Sequence, residues 1–248
     1  MERYIHIAAG SMRINIDNQR LIAASLANQN TTAFKRDIAV SSAVYVNQQG
    51  DADRVFPSRG KGSVDLEFGK LISTDNPMDV AVEGDGFFIG KKPDGSTVLT
   101  RRGDFHIGAD RLLRNGENLA MEGDGGPISI PLFESMEISR DGSVMITLPG
   151  ATPGTRQTVV DRLKLVKTPA SNVERGEDGT MRLADKVVPP SDAAINLYTK
   201  GLETSNVSAI DAMVDMLSAS RTFEIHVKLL ATAKELDDAT AKLMRSSQ

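Results

Sequence analysis

Ser25–Asp37 reads SLANQNTTAFKRD. An apolar helical pattern runs into it from residue 4 and stops without a Gly or Pro, on two Asn and two Thr. A lone Phe34 follows, with Lys35 and Arg36 behind it. A helix that ends this way has no evident core of its own to sit on. The stretch therefore divides the chain, with a helix before it and a different kind of structure after it.

Upstream, Ile5, Ala9, Met12, Ile16, Gln19, Ala23 and Leu26 are spaced alternately four and three apart, which keeps one helix face apolar. The far end of the chain repeats the pattern with Met213, Met216, Ser220, Phe223, Val227 and Leu230. After a slip in phase, Ala233, Leu236, Thr240 and Leu243 continue it. Ser208 followed by Asp211 fits an N-terminal capping box for this last helix.

Between the helices the character changes. Ile38, Val40, Val44 and Val46 fall on alternate positions, the period of a strand. From residue 62 to 200, short apolar runs such as DVAVEG, TVLTRR, SVMIT and DRLKLVK are broken by turn dipeptides. These are Asp94-Gly95, Asn115-Gly116, Asp141-Gly142 and Asp178-Gly179, which supply the positive φ angles of tight hairpins. The sequence thus divides into an N-terminal helix (1–36), an extended linker or hairpin (37–61), a β-rich domain (62–200) and a C-terminal helix (201–248). Neither end helix can be stable alone. Burying a large apolar side chain contributes about 1.5–3 kcal/mol, whereas ordering each residue's backbone costs about 1–2 kcal/mol.

The 248 residues include no Trp and no Cys, and aromatics make up 4 %, so any core is built from aliphatic side chains and Met. The absence of Cys excludes disulfides, thiolate metal sites and a cysteine nucleophile. A net charge of −4 with no clustered Lys/Arg gives no nucleic-acid footprint. No apolar run approaches the roughly 18 residues of a membrane span. Arg3, His6 and Arg13 interrupt the start, so no cleaved secretory signal and no membrane insertion are expected.

No catalytic constellation survives inspection. His6, His106 and His226 are far apart and lack neighbouring motifs. EGDGFFIG has Ile89 where a dinucleotide loop needs its third glycine, and reads instead as a glycine turn into a buried Phe-Phe strand. GDGG at 123–126 lacks the Lys-Ser/Thr of a phosphate loop, and GDAD at 50–53 lacks calcium-ligand spacing. No enzymatic activity, cofactor or metal is expected.

Three blocks together resemble the bacterial flagellar rod and hook family of axial proteins. They are SLANQNTTAFKR, GKLISTDNPMDVAVEGDGFF (Gly69–Phe88) and GLETSNVSAIDAMVDMLSASRTFE (Gly201–Glu224). They lie at the start, middle and end in the family's order, so the resemblance covers essentially the whole chain. It implies a mainly β central domain whose long N- and C-terminal α-helices pair as a coiled coil. It also implies a non-enzymatic structural subunit of the basal-body rod that stacks helically and transmits torque from motor to hook. The short length, the start MERYIHIA and the ending ATAKLMRS look most like the family's proximal-rod member. The implied partners are other proximal and distal rod subunits, further copies of the chain, and the flagellar type III export apparatus, which passes family members without cleavage.

The residues that the resemblance and the helical seams assign to assembly and packing are Ile5, Ala9, Met12, Ile16, Leu26, Ala27, Asn28, Phe34, Lys35, Asn206, Met213, Met216, Phe223, Val227 and Leu230. Phe34 is expected to anchor the link between helix and β domain, and Asn28 to cap the helix in a left-handed conformation. Ala33 stands where the family usually has Gly, so the turn there is expected to avoid a backbone angle that only Gly tolerates freely. The alternatives are a distal rod protein of the same family, or a periplasmic or cell-wall binding module. The absence of a convergent polar cluster in the β domain weighs against the binding module.

Overall fold

The computed structural model describes residues 2–39, 41–48, 51–59, 62–150, 157–176 and 178–246. By chain contacts it divides into two units, one formed by residues 1–27, 37–62 and 208–248, the other by 28–36 and 63–207.

The first unit holds helix α1 (Glu2–Ala27), helix α2 (Ala209–Ser246) and an antiparallel hairpin of Ser41–Gln48 with Asp51–Arg59. α2 starts where the capping box places it. The Ser208 hydroxyl accepts from the Asp211 N–H at 3.4 Å, satisfying one of the N–H groups a helix start leaves open.

The two helices touch, but the expected coiled-coil pairing does not hold. A coiled-coil seam buries large apolar knobs at alternate four- and three-residue spacings. Met213, Ser220 and Val227 instead lie exposed, as do Ala9 and Ala23 of α1. Among the described residues Ala212 is the only buried side chain in α2, and half-buried Met216, Ala219, Phe223, His226 and Leu230 continue its line. Among the described side chains of α1 the deepest are polar. Asn15 and Ser25 are buried, and Asn15 Oδ1 accepts from Gln19 Nε2 at 3.0 Å. What forms is two helices in contact along mostly half-buried positions that mix large apolar, small and polar side chains, together with a β-rich centre.

In the second unit a nine-stranded sheet runs in the order Val173–Arg175, Met181–Leu183, Thr97–Thr100, Phe87–Lys91, Ala120–Gly123, Leu113–Asn115, Phe105–Ile107. Gly126–Pro127 and Leu165–Val166 pair off this path. Phe87–Lys91 is central, and its residues alternate between two cores as a strand's period of two requires. Phe88 joins Phe105, Leu113, Met121 and Leu165 on one side, with Phe88 and Phe105 edge to face at 5.3 Å. Phe87 and Ile89 join Leu99, Val166 and Met181 on the other. The glycine turn read before this strand is present, with Gly84 at φ +77°.

The hairpins share one chemistry. At Gly95, Gly142 and Gly179 the φ angle is positive, and the preceding Asp accepts from the N–H two residues on, as Asp94 does from Ser96 at 2.8 Å. These are type I turns closed by one left-handed residue. Arg111 and Lys186 do the same work as glycine, each preceded by a capping Asp. At the Asn115-Gly116 dipeptide the left-handed residue is Asn118 rather than the glycine.

Candidate functional site

Within the second unit, TTAFKR and GLETSN lie side by side. The Ala33 N–H donates to the Glu203 carbonyl at 2.8 Å, and the Asn206 N–H donates to the Phe34 carbonyl at 3.2 Å. Asn206 adds its side chain. Its Oδ1 accepts from the Arg36 N–H at 2.9 Å, and its Nδ2 donates to the Asp65 carbonyl at 3.1 Å.

Beneath this seam lies a buried charged knot. Strand alternation in Gly201–Glu203 turns Glu203 inward, where its side chain is 1 % exposed. One carboxylate oxygen accepts from Lys35 Nζ at 2.6 Å and from the Gly69 N–H at 2.9 Å, and the other from Arg101 Nε at 2.7 Å. Lys35 also donates to the Glu67 carbonyl at 2.6 Å. The Arg101 guanidinium donates to the carbonyls of Val82, Gly84 and Gly86 at 2.8–3.0 Å. The Phe68 ring lies 5.7 Å from Lys35 Nζ and 5.1 Å from Arg101 Cζ, within cation–π range. Gly69 is a glycine for a steric reason, because a Cβ there would stand 1.9 Å from the Thr204 carbonyl oxygen.

Two cations thus share one carboxylate in a dry place. Burial pushes the Lys35 ammonium below its usual range, Glu203 opposes that shift, and the like charge of Arg101 adds to it. At the rim, Arg36 Nε pairs with Asp65 at 2.7 Å. Burial alone would raise the Asp65 carboxyl, but the Glu67 N–H, Arg36 and Lys35 together hold it below the ordinary carboxylate range.

Of the residues singled out by sequence, Lys35, Phe34 and Asn206 meet at this seam. Phe34 is half-buried, with the Arg175 guanidinium 5.2 Å from its ring, and Arg175 also donates to the Lys35 carbonyl. Asn28 accepts from the Thr31 hydroxyl at 3.1 Å, but its own φ is not left-handed. The left-handed residue is Ala33, at φ +54° and buried, contrary to the expectation that the turn avoids that angle. Met12, Ile16, Leu26, Met216, Phe223 and Leu230 are half-buried in the helices, whereas Ala9, Ala27, Met213 and Val227 are exposed. Ile5 lies in α1 but falls outside the described side chains.

Sequence reasoning missed Glu203, Arg101, Phe68 and Asp65. The available signal was alternation, since in GLETS the inward positions are 201, 203 and 205, and a charge placed inward needs a partner.

Among the described residues no helix is long and apolar enough to cross a membrane. α2 has a second apolar face, and Ile210, Val214, Leu217, Ile225 and Leu236 are each more than half exposed on it.

Residues 81–146 match the family described as flagellar hook protein FlgE/F/G D1 domain, and residues 200–243 match the flagellar basal body rod FlgEFG protein C-terminal family. The chain is 31 % identical to the flagellar basal-body rod protein FlgF of Salmonella typhimurium, with all of both chains covered. It is also 31 % identical to FlgF of Escherichia coli over 95 % of each. FlgG of Agrobacterium fabrum is 28 % identical over 98 % of this chain and all of its own. Similarity of this extent, end to end, places both halves of the knot within matched sequence, and the chain belongs to the family of flagellar basal-body rod proteins.

Proposed function

We propose that the chain is a non-enzymatic structural subunit of the flagellar basal-body rod, at the proximal position held by FlgF-type proteins. It stacks helically with other rod subunits and with further copies of itself, and carries torque from motor to hook. Passage through the flagellum's own type III channel, without a cleaved leader, belongs to the same reading. The observation that carries it is end-to-end similarity to FlgF joined to a second, uncovered apolar face on α2. Isolated apolar side chains on a surface need no explanation, but a row of them along one helix face marks an interface.

The packing residues chosen from sequence take their roles within this reading. Phe34 anchors the passage from helix to β unit, Lys35 and Asn206 fix the two chain passages together, and the helical residues from Met12 to Leu230 supply packing. Deletion of the gene, complemented by a tagged chain, tests the proposal. The expected result is loss of swimming on deletion and recovery of the tagged chain in purified basal bodies. Absence of the chain from those particles, with swimming intact, would overturn it.

A further inference from the structure

Above the knot, Leu71–Ser73 pairs antiparallel with Gly201–Glu203 in the register Gly201↔Ser73, Leu202↔Ile72, Glu203↔Leu71. Since Glu203 points inward, its neighbour Leu202 and the opposed Ile72 share the outer face. Ile72 is 49 % exposed there. Lys70 and Lys200, both exposed, flank the two strands at opposite ends of the ribbon, Lys200 at a left-handed bend with φ +59° just before Gly201. The result is an apolar pair, Ile72 exposed and Leu202 half-buried, on a ribbon with a lysine at each end.

The opening turns of α2 present the complement. Ile210, Val214 and Leu217 form an exposed apolar row, and Asp211 and Asp215, one helical turn apart, flank it on one side. No basic residue occurs in α2 before Arg221. We infer that the first turns of α2 in one copy dock on the Ile72–Leu202 ribbon of a second copy, with Asp211 and Asp215 meeting Lys70 and Lys200. The inference rests on the rod-subunit reading and names one of its contacts. The two surfaces differ, so the contact is head to tail, and repetition extends a stack rather than closing a dimer.

The cysteine-free chain permits a direct test. Full-length Ile72→Cys and Val214→Cys chains, each with a single thiol, are mixed and oxidised, so a mixed disulfide forms only between copies. The expected result is a mixed dimer well above that of an Ile72→Cys plus Leu132→Cys control. Its yield should fall between about 0.1 and 1 M NaCl, as the Debye length contracts from about 10 to about 3 Å. Lys70→Glu with Lys200→Glu should abolish it, and Asp211→Lys with Asp215→Lys on the other chain should restore it. A mixed dimer no stronger than the control overturns the contact, as does cross-linking of Ile72→Cys in basal bodies to a protein of another mass. If the chain still enters basal bodies in either case, the rod-subunit reading stands and only the docking fails.

Discussion

Replacing Glu203 by Gln keeps the side chain's shape and removes its charge. In the folded chain this leaves Lys35 and Arg101, with side chains 0 % and 2 % exposed, without a counter-charge. It also turns an amide NH2 towards a donor, because one carboxylate oxygen faces Lys35 and the Gly69 N–H while the other faces Arg101. Removing one partner of a buried ion pair costs about 3–5 kcal/mol. For a domain of this size each kcal/mol moves Tm by about 2–4 °C, so the expected fall is about 6–20 °C. Circular dichroism melts and urea titrations of the full chain measure it. The control is Glu83→Gln, whose carboxylate meets the exposed Arg140 only at 3.4 Å and whose loss should cost about 0–1 kcal/mol.

The pH dependence adds a second arm. The folded-state pKa of Lys35 is lowered, so between that value and the ordinary lysine value of 10.5 the unfolded chain binds more protons than the folded one. Stability contributed by this group therefore rises with pH across that window. Without Glu203, which raises the Lys35 pKa, the window opens at lower pH. The deficit of the variant should shrink as pH rises towards 10.5, but not vanish, since Arg101 still lacks its carboxylate partner. A loss below about 1 kcal/mol, or one equal to the control's, would refute the reasoning that the knot depends on its single carboxylate.

Ala33→Gly removes a left-handed strain of about 1–2 kcal/mol and gives up a buried methyl worth about 0.8 kcal/mol, so Tm should stay level or rise slightly. Ala33→Val should lower it, and a tolerated valine would mean the turn had changed conformation. Phe34→Ala should leave the melt nearly unchanged while intact rods become scarce, because its backbone bond to Asn206 survives and its ring meets Arg175 at the surface. A loss of about 3–5 kcal/mol would instead make Phe34 an ordinary core residue. Leu217→Glu, on the exposed face of α2, should alter stability by no more than about 0.5 kcal/mol yet stop incorporation into basal bodies, and normal swimming would show that the face is not covered there.

The β-rich centre was legible because turn chemistry is local. Asp-Gly at 94, 141 and 178 announced three hairpins, and the buried Phe87–Phe88 strand followed from its glycine turn. Asp110-Arg111 and Asp185-Lys186 carry the same Asp cap, but reading glycine alone passed over them. The helices were visible, and their contact was not. α2 is apolar on two faces, so the spacing from 213 to 230 took in exposed Met213, Ser220 and Val227 together with half-buried Met216, Phe223 and Leu230, and it passed over Ala212, Ala219 and His226 on the inner line. Asn15 and Ser25 on the inner side of α1 gave no apolar signal at all. The knot was hidden for a different reason. Glu203 lies 168 residues from Lys35 and 102 from Arg101, and spacing carries no information over such separations.

A buried ion pair is often replaceable by apolar side chains of equal volume without loss of stability. That exchange is not open here, and the reason lies in what Arg101 touches. Its guanidinium takes the carbonyls of Val82, Gly84 and Gly86, which belong to the turn that launches the central strand and reaches the left-handed Gly84. An apolar side chain in its place would leave three carbonyls without a donor, each costing about 1–3 kcal/mol where it is buried. The cation is thus required by the turn, and Glu203 is required by the cation. Lys35 then closes the remaining oxygen of Glu203 and brings TTAFKR to the same point, so that the chain passages at 28–36 and 201–207 are fixed to the sheet through one side chain. In this arrangement the three sequence blocks that carry the family resemblance are parts of a single contact, with Lys35 from the first, Gly69 and the Gly84 turn from the second, and Glu203 from the third.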